Sequence, residues 1–322
     1  MEKVLISKKQ SLSYSFGKRF KNSAFLILMI IPAIIYYAVF CYAPMYGVLL
    51  AFTVYHPAQG IMGSVITEGL NLNNFKYIFE LPDFWIIFRN TLLIGTIKVV
   101  IAFVSSVVVA LLINELRMRF FKKFVQITLT FPHFLSWVVV ASIFMLLLSD
   151  NGAISRLIQS TTGETVSFLK NKSFFLGLLF SSDVWKEAGW GSIIYIATMA
   201  GISPDLYEAA DIDGATRLQK IWHITLPGIK ATAILLLIMS VGGVLSAGFD
   251  QIFNLTGGLK NAMVLDTVNI IDTYIYDLSF GSSGVGKAHI STTIGLFKSL
   301  IGFILVIVTD RIAKLCGERG II

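Results

Sequence analysis

Residues 203–230 read "SPDLYEAADIDGATRLQKIWHITLPGIK", a polar stretch set between long apolar ones. Ser203 suits the N-cap of a helix that begins at Pro204, with Asp205 favourably placed in the first turn. Gly214 is a natural stop, and Pro227 is expected to break the chain before the next apolar run. The short helix between them carries Ala209, Ala210, Gly214 and Ala215, small residues that let another surface approach the backbone. Glu208, Asp211 and Ile212 lie on neighbouring turns. Taken alone, this is an amphipathic loop helix.

Its surroundings give it meaning. The 322 residues are 55% hydrophobic and only 14% charged, with a mean hydropathy of +0.76. That is more apolar surface than a soluble domain can hide. A helix crossing a hydrocarbon core of about 30 Å needs about 20 residues, and runs near 24–46, 86–114, 125–148, 185–203, 229–249 and 289–309 qualify. The second is long enough to need tilt, and the fourth opens on Lys186 and Glu187. The first follows Lys18, Arg19 and Lys21 as the apolar part of a secretory signal would. It is too long for that and has no small-x-small cleavage site, so it reads as a retained helix. The expected fold class is an all-α integral membrane protein with about six transmembrane helices. An N-terminal tail (1–23), a membrane domain (24–309) containing the loop 203–228, and a C-terminal tail (310–322) divide the chain.

Orientation follows from the basic residues. The two tails and the 115–124 and 204–230 loops hold sixteen of the 26 Lys and Arg residues against eight acids. The segments on the other side, with the adjoining span ends, hold eight basic residues against eleven acids. Both termini and the 203–228 loop are therefore expected in the cytoplasm. The same asymmetry explains a pI near 9.3 without nucleic acid as a partner. Cys41 and Cys316 fall on opposite sides of the bilayer, so no disulfide is expected. The four histidines, His56, His133, His223 and His289, are scattered, and no metal-ligand spacing occurs.

One motif points elsewhere and fails. Residues 281–291, "GSSGVGKAHIS", have the glycine and lysine spacing of a phosphate-binding loop. Such a loop needs a hydroxyl after the lysine to hold Mg²⁺, a strand before it and a soluble helix after it. Ala288 removes the hydroxyl, the topology puts the loop outside, and an apolar span follows at 292–308, ending in a Walker-B-like run at Asp310. Nucleotide hydrolysis by this chain is not expected.

Glu208-Ala209-Ala210, then Gly214-Ala215, then Ile221, Ile224, Leu226 and Pro227, resembles the EAA signature of membrane subunits in binding-protein-dependent ABC importers. Further segments are similar to oligosaccharide or polysaccharide permeases of the carbohydrate-uptake branch. They are "FCYAPMYGVLLAF" (40–52), "NLNNFKYIF" (71–79), "FRNTL" (88–92), "LLINE" (111–115), "GFDQIFNLT" (248–256) and "DTVNIIDTYIY" (266–276). The stretch "GSVITEGL" (63–70) departs from that branch's usual Gly-Ser-Trp-Val-Gly-Leu. The resemblance implies a type I importer permease fold in a bacterial cell membrane, with the 203–228 loop as a coupling helix docked in a groove of a separate ATPase. Glu208, Ala209, Ala210, Asp211, Gly214, Ala215, Ile221, Leu226 and Pro227 would make that coupling surface. It also implies a second homologous permease, an ATPase dimer holding ATP and Mg, and an extracellular solute-binding protein that delivers an oligosaccharide. This chain would bind no cofactor or metal and would not be an enzyme. The long segment 250–288 is suited to docking or gating on the outer side.

The alternative is a secondary transporter driven by an ion gradient, which calls for inverted repeats, broken helices and carboxylates inside the membrane. No internal repeat is evident, and Glu187 and Asp250 fall at expected span ends. A membrane enzyme would need a catalytic constellation, and none is visible. For the substrate pathway, the polar and aromatic residues Asn90, Ser136, Trp137, Ser240, Ser246, Asp250 and Gln251 are candidates, with helix–helix hydrogen bonding as the competing role. Lys98 and Lys298 fall mid-span, where an ammonium costs at least about 2.5–3.5 kcal/mol on insertion scales. No carboxylate is expected at comparable depth. The lysines are therefore either paired in the assembled complex, or beside a wrongly placed span boundary, or facing a cavity where they would favour an anionic sugar such as a uronate-containing oligosaccharide.

Overall fold

A computed structural model describes residues 24–281 and 287–315. The expected tail 1–23, residues 316–322 with Cys316, and residues 282–286 of the glycine-rich stretch lie outside the described residues. Every regular element among the described residues is helical. The chain begins with α1 (Ala24–Tyr36), which continues through a π turn (Tyr37–Tyr42) into a 3-10 stretch (Ala43–Phe52). Two short helices, α2 (Gly60–Glu68) and α3 (Asn73–Glu80), lead to the long α4 (Pro82–Asn114). Then come α5 (Arg119–Thr130), α6 (Trp137–Leu148), α7 (Ala153–Thr162) and α8 (Lys172–Ala200). The loop follows as α9 (Pro204–Ile212) and α10 (Arg217–Lys220), then α11 (Leu226–Gly242). On the far side are α12 (Phe249–Leu255), α13 (Ala262–Val268) and α14 (Ile271–Phe280), before the last helix α15 (Ala288–Leu315).

Five stretches among the described residues are long and apolar enough to cross a membrane: Phe25–Phe52, Pro82–Asn114, Trp137–Thr162, Arg217–Gly242 and Ala288–Leu315. The expected fourth span is the one that differs. It is part of α8, which is 29 residues long and starts at Lys172 rather than near 185. Lys186 and Glu187, read from sequence as its boundary, lie inside the helix, where they pair with one another and both bond to His133. The expected third span is interrupted at Phe131–Phe134, where Pro132 lacks an N–H and Ser136 starts α6 afresh by accepting from Val139 N at 3.3 Å.

Pro227 does not break the chain as expected. It sits in the first turn of α11, directly after a π turn (Ile221–Thr225) that widens the helix where the proline ring would press on the preceding turn. That run ends at Gly242 rather than 249. A 3-10 turn (Val244–Ser246) follows, then Ala247 and Gly248 with φ of 38° and 87°. The last helix passes the expected end near 309 and is helical to Leu315.

Close approach of backbones holds the body together. At Gly189 of α8 a Cβ would strike the Leu129 carbonyl and Thr130 N, and at Gly95 of α4 it would strike the Val244 carbonyl. Around these contacts lie three apolar clusters. One joins Ile94, Phe175, Leu179, Ile252 and Val264; a second joins Phe84, Ile87, Ile271 and Ile294; a third joins Ala110, Tyr195, Met199 and Ile229. From Phe25 to Tyr46 the first helix buries nothing, whereas its 3-10 end lies against α15.

Substitution should expose this dependence. Gly189→Val or Gly95→Val forces two backbones apart, and overpacking of this kind costs about 1–3 kcal/mol or more. Both should lower membrane levels and the Tm of detergent-solubilised protein. Gly177→Ala, on the same α8 but with no atom within 4 Å of the new Cβ, should leave both unchanged.

Candidate functional site

The loop 203–228 is built from two sides. Ser203 Oγ accepts from Asp205 N at 3.4 Å, and Pro204 opens α9. At its end Gly214 adopts φ of 71°, which turns the chain so that Ala215 N reaches Ala210 O at 2.9 Å. A capping box between Thr216 and Gln219 then starts α10. Two ties hold α9 to the body. Tyr207 Oη and Thr225 Oγ1 are 2.9 Å apart, and Lys220 Nζ lies 2.6 Å from Asp211 Oδ1. Leu226 packs into the cluster around Ile229 and Tyr195.

The nine expected coupling residues thus divide by role. Ala210, Ala215, Ile221 and Leu226 are partly buried, and Asp211 is occupied by Lys220. Glu208, Ala209, Gly214 and Pro227 are exposed. Beside them stand exposed apolar side chains: Leu206, Ile212 (88% exposed), Leu218 and Trp222 (62%). Of these, only Ile212 drew notice in the sequence. The spacing 206, 209, 212 was a readable signal, since it follows the helical period along one side. The loop is thus fixed to the body by polar groups and by Leu226, and it leaves four large apolar side chains exposed, a shape unlike a pocket.

The pathway candidates separate in the same way. Asn90 is buried and donates to Asp266 O at 2.9 Å. Gln251 is fully buried and donates to Leu179 O (2.7 Å) and Ser182 Oγ (2.9 Å). Both side chains are spent on contacts within the chain. Ser136, Ser240, Ser246 and Asp250 are exposed, and Trp137 is partly so.

The lysines correct one expectation outright. Lys98 Nζ lies 3.0 Å from Asp183 Oδ1, and Lys298 Nζ lies 2.5 Å from Asp272 Oδ1. Carboxylates do stand at comparable depth. The sequence hides them, because Asp183 precedes the expected start of the fourth span and Asp272 falls in an expected outer loop.

A cluster not expected from the sequence lies where α5, α6 and α8 meet. The His133 ring stacks on Trp190 with centroids 4.3 Å apart and planes 3° from parallel, and its Nδ1 is 2.7 Å from Glu187 Oε2. Lys186 Nζ donates to His133 O at 2.7 Å, approaches Glu187 Oε1 at 3.2 Å and sits 5.5 Å from the centre of the Trp137 ring. Beside it, Glu187, Trp190, Ser106 and Ser240 line a cavity of about 210 Å³. An indole face next to a carboxylate and hydroxyls can stack on a sugar ring while accepting from its hydroxyl groups.

Near the start of α8, two carboxylates are fixed by lysines. Lys170, with Ser167, holds Asp150 below the usual carboxylate range, and Lys172 does the same for Asp266. Because folding lowers these pKa values, the contribution is intact at neutral pH and is lost only as pH falls through the folded pKa.

Comparison with known proteins gives the family and the fold. The family described as binding-protein-dependent transport system inner membrane component matches residues 102–319. The chain is 42% identical over 298 residues to the polygalacturonan/rhamnogalacturonan transport system permease protein YteP of Bacillus subtilis (strain 168), covering 92% of this chain and 90% of that one. It is 39% identical over 302 residues to protein LplB of the same organism, covering 94% and 92%. Among solved structures, it is similar to a chain of a bacterial alginate ABC transporter in complex with alginate pentasaccharide-bound periplasmic protein. The TM-score is 0.81 at 30% identity, over 94% of this chain and 99% of that one. The fold is that of a type I ABC importer permease, and the ion-gradient alternative is not favoured. The chain belongs to the binding-protein-dependent transport system inner membrane component family.

Proposed function

We propose that this chain is one of two permease subunits in an ATP-driven importer and that, with a second homologous permease, it encloses the pathway for an oligosaccharide delivered by an extracellular binding protein. The observation that carries this reading is the loop 203–228, whose apolar residues face outward while its polar residues anchor it. Such a loop suits another protein's groove. Hydrolysis then belongs to separate ATPase subunits that hold ATP and Mg, and this chain binds neither. The loop and both termini face the cytoplasm, in keeping with the distribution of basic residues.

Relatives that handle polygalacturonan, rhamnogalacturonan and alginate support uronate-containing oligosaccharides as the first substrate class to test. Lys98 and Lys298 are paired, so neither offers a free charge to such a sugar. Contacts fall instead to Trp190, Trp137, Ser136, Ser240, Ser246 and Asp250 on the accessible side. Docking of ATPase and binding protein switches the pathway only insofar as each prefers one state over the other.

The deciding experiment is co-expression with candidate permease, ATPase and binding-protein subunits, followed by ATPase assays over a panel of neutral and acidic oligosaccharides. Stimulation by loaded binding protein is expected. A purified complex in which no binding protein raises ATPase activity on any sugar would refute the reading.

Two sets of variants test its parts. Glu208→Lys and Ile212→Asp alter the outward surface without touching the anchors, so membrane levels should hold while uptake falls at least about tenfold, equivalent to about 1.4 kcal/mol. Normal uptake at normal levels would remove the docking assignment. Gly214 acts differently, since no atom lies within 4 Å of its missing Cβ, and its constraint is the left-handed backbone. Gly214→Asn should therefore retain more coupling than Gly214→Val. In the cavity, Trp190→Ala should raise the apparent KM for uptake at unchanged assembly.

A further inference from the structure

The two mid-span lysines flank a single non-helical turn. Between α11 and α12 the chain leaves the helix at Gly243, forms the 3-10 turn Val244–Ser246 and passes through Ala247 and Gly248, both at positive φ. A residue with a side chain rarely adopts this conformation unless its neighbours impose it. Lys98, 9% exposed, approaches from α4. It pairs with Asp183 on α8, donates to Gln251 Oε1 just beyond the turn, and lies so close to Gly248 that a Cβ there would strike its Nζ. Gln251 passes the constraint on through its bonds to Leu179 O and Ser182 Oγ. From the opposite side, Lys298 on α15 pairs with Asp272 and lies 3.5 Å from Ser246 Oγ. One turn before Lys98, Gly95 lets the Val244 backbone rest against α4.

A buried ion pair is weak evidence for stability, but it can select one geometry, because any other arrangement strands a charge. We propose that Lys98, acting through Asp183 and Gln251, is a positioning residue for transport. It fixes the turn 243–248 in the shape that presents Ser246 to the pathway, with Lys298 and Asp272 holding the other flank. This rests on the pathway reading above and adds to it the part that sets the pathway wall.

The test uses the complete complex in proteoliposomes, with Ser246→Cys as a thiol-labelling reporter in a Cys41→Ser/Cys316→Ser background. Lys98→Met strands Asp183 and is expected to impair assembly, so two further variants carry the decision. Lys98→Met/Asp183→Asn removes both charges together, and Gln251→Met keeps the ion pair but cuts its link to the turn. Both should assemble at wild-type levels, with maximal uptake down at least tenfold, apparent KM within twofold, and reporter labelling changed at least fivefold. A purely structural ion pair predicts the opposite, namely full recovery of uptake and unaltered labelling once the charges are balanced. That result, or wild-type uptake by Gln251→Met, would overturn the proposal. Labelling needs no sugar. A wild-type complex that takes up no oligosaccharide therefore counts against the substrate reading, while the labelling comparison still decides the positioning role.

Discussion

An ion placed in hydrocarbon needs a counter-charge or hydrogen bonds within reach, and helix α8 carries three ions near its middle. Asp183 is answered by Lys98, and Lys186 and Glu187 by one another and by His133. These contacts determine which helices lie beside α8. Lys98 draws in α4, and His133 draws in the break between α5 and α6. The glycine contacts then let those neighbours come close, with Gly189 against the end of α5 and Gly95 against the turn after α11. Charge pairing and close packing specify the same neighbours, as expected of a sequence whose local and long-range preferences agree.

The breaks in the apolar helices follow from the same constraint. Backbone that leaves a helix at membrane depth must be buried in protein or line an aqueous cavity. At 131–136 the interruption carries His133 and Ser136, and at 243–248 it carries Ser246 beside Lys298. Polar side chains and non-helical backbone thus occur together at both breaks. The first helix shows the contrast. Its π and 3-10 turns lie among Tyr36, Phe40 and Tyr42, with no residue buried up to Tyr46, a surface suited to lipid or another subunit.

Much of the loop 203–228 was legible in the sequence, because its signals are local. Ser203, Pro204 and Gly214 act on adjacent backbone and do what their chemistry implies. The start of α8 was not legible, since a charge reads as a boundary until its partner is known, and the partners lie far away in sequence. Pro227 misled for a related reason, as only the π turn before it shows how the ring is accommodated. The test set for an ion-driven transporter also gave way. Broken helices and mid-membrane carboxylates are both present, but Asp183 and Asp272 are occupied by lysines, and relatedness across most of the chain decides for the importer family.

The path from the loop 203–228 to the non-helical turn is one piece of helix. Residues Arg217–Gly242 run without interruption through the π turn, 26 residues or about 39 Å at 1.5 Å per residue. At one end Tyr207 and Asp211 fasten α9 to this rod through Thr225 and Lys220. At the other, the rod stops at Gly242 and gives way to the turn bounded by Lys98 and Lys298. The connection between α9 and the turn is thus a hydrogen-bonded helix rather than a loose linker, and it ends at non-helical backbone flanked by two ion pairs. A stiff element ending in a turn held by a few polar contacts is the kind of contiguous network through which a binding event at one site biases geometry at another. The polar anchors on the inner side of the loop join α9 to this rod instead of leaving it a separate helix.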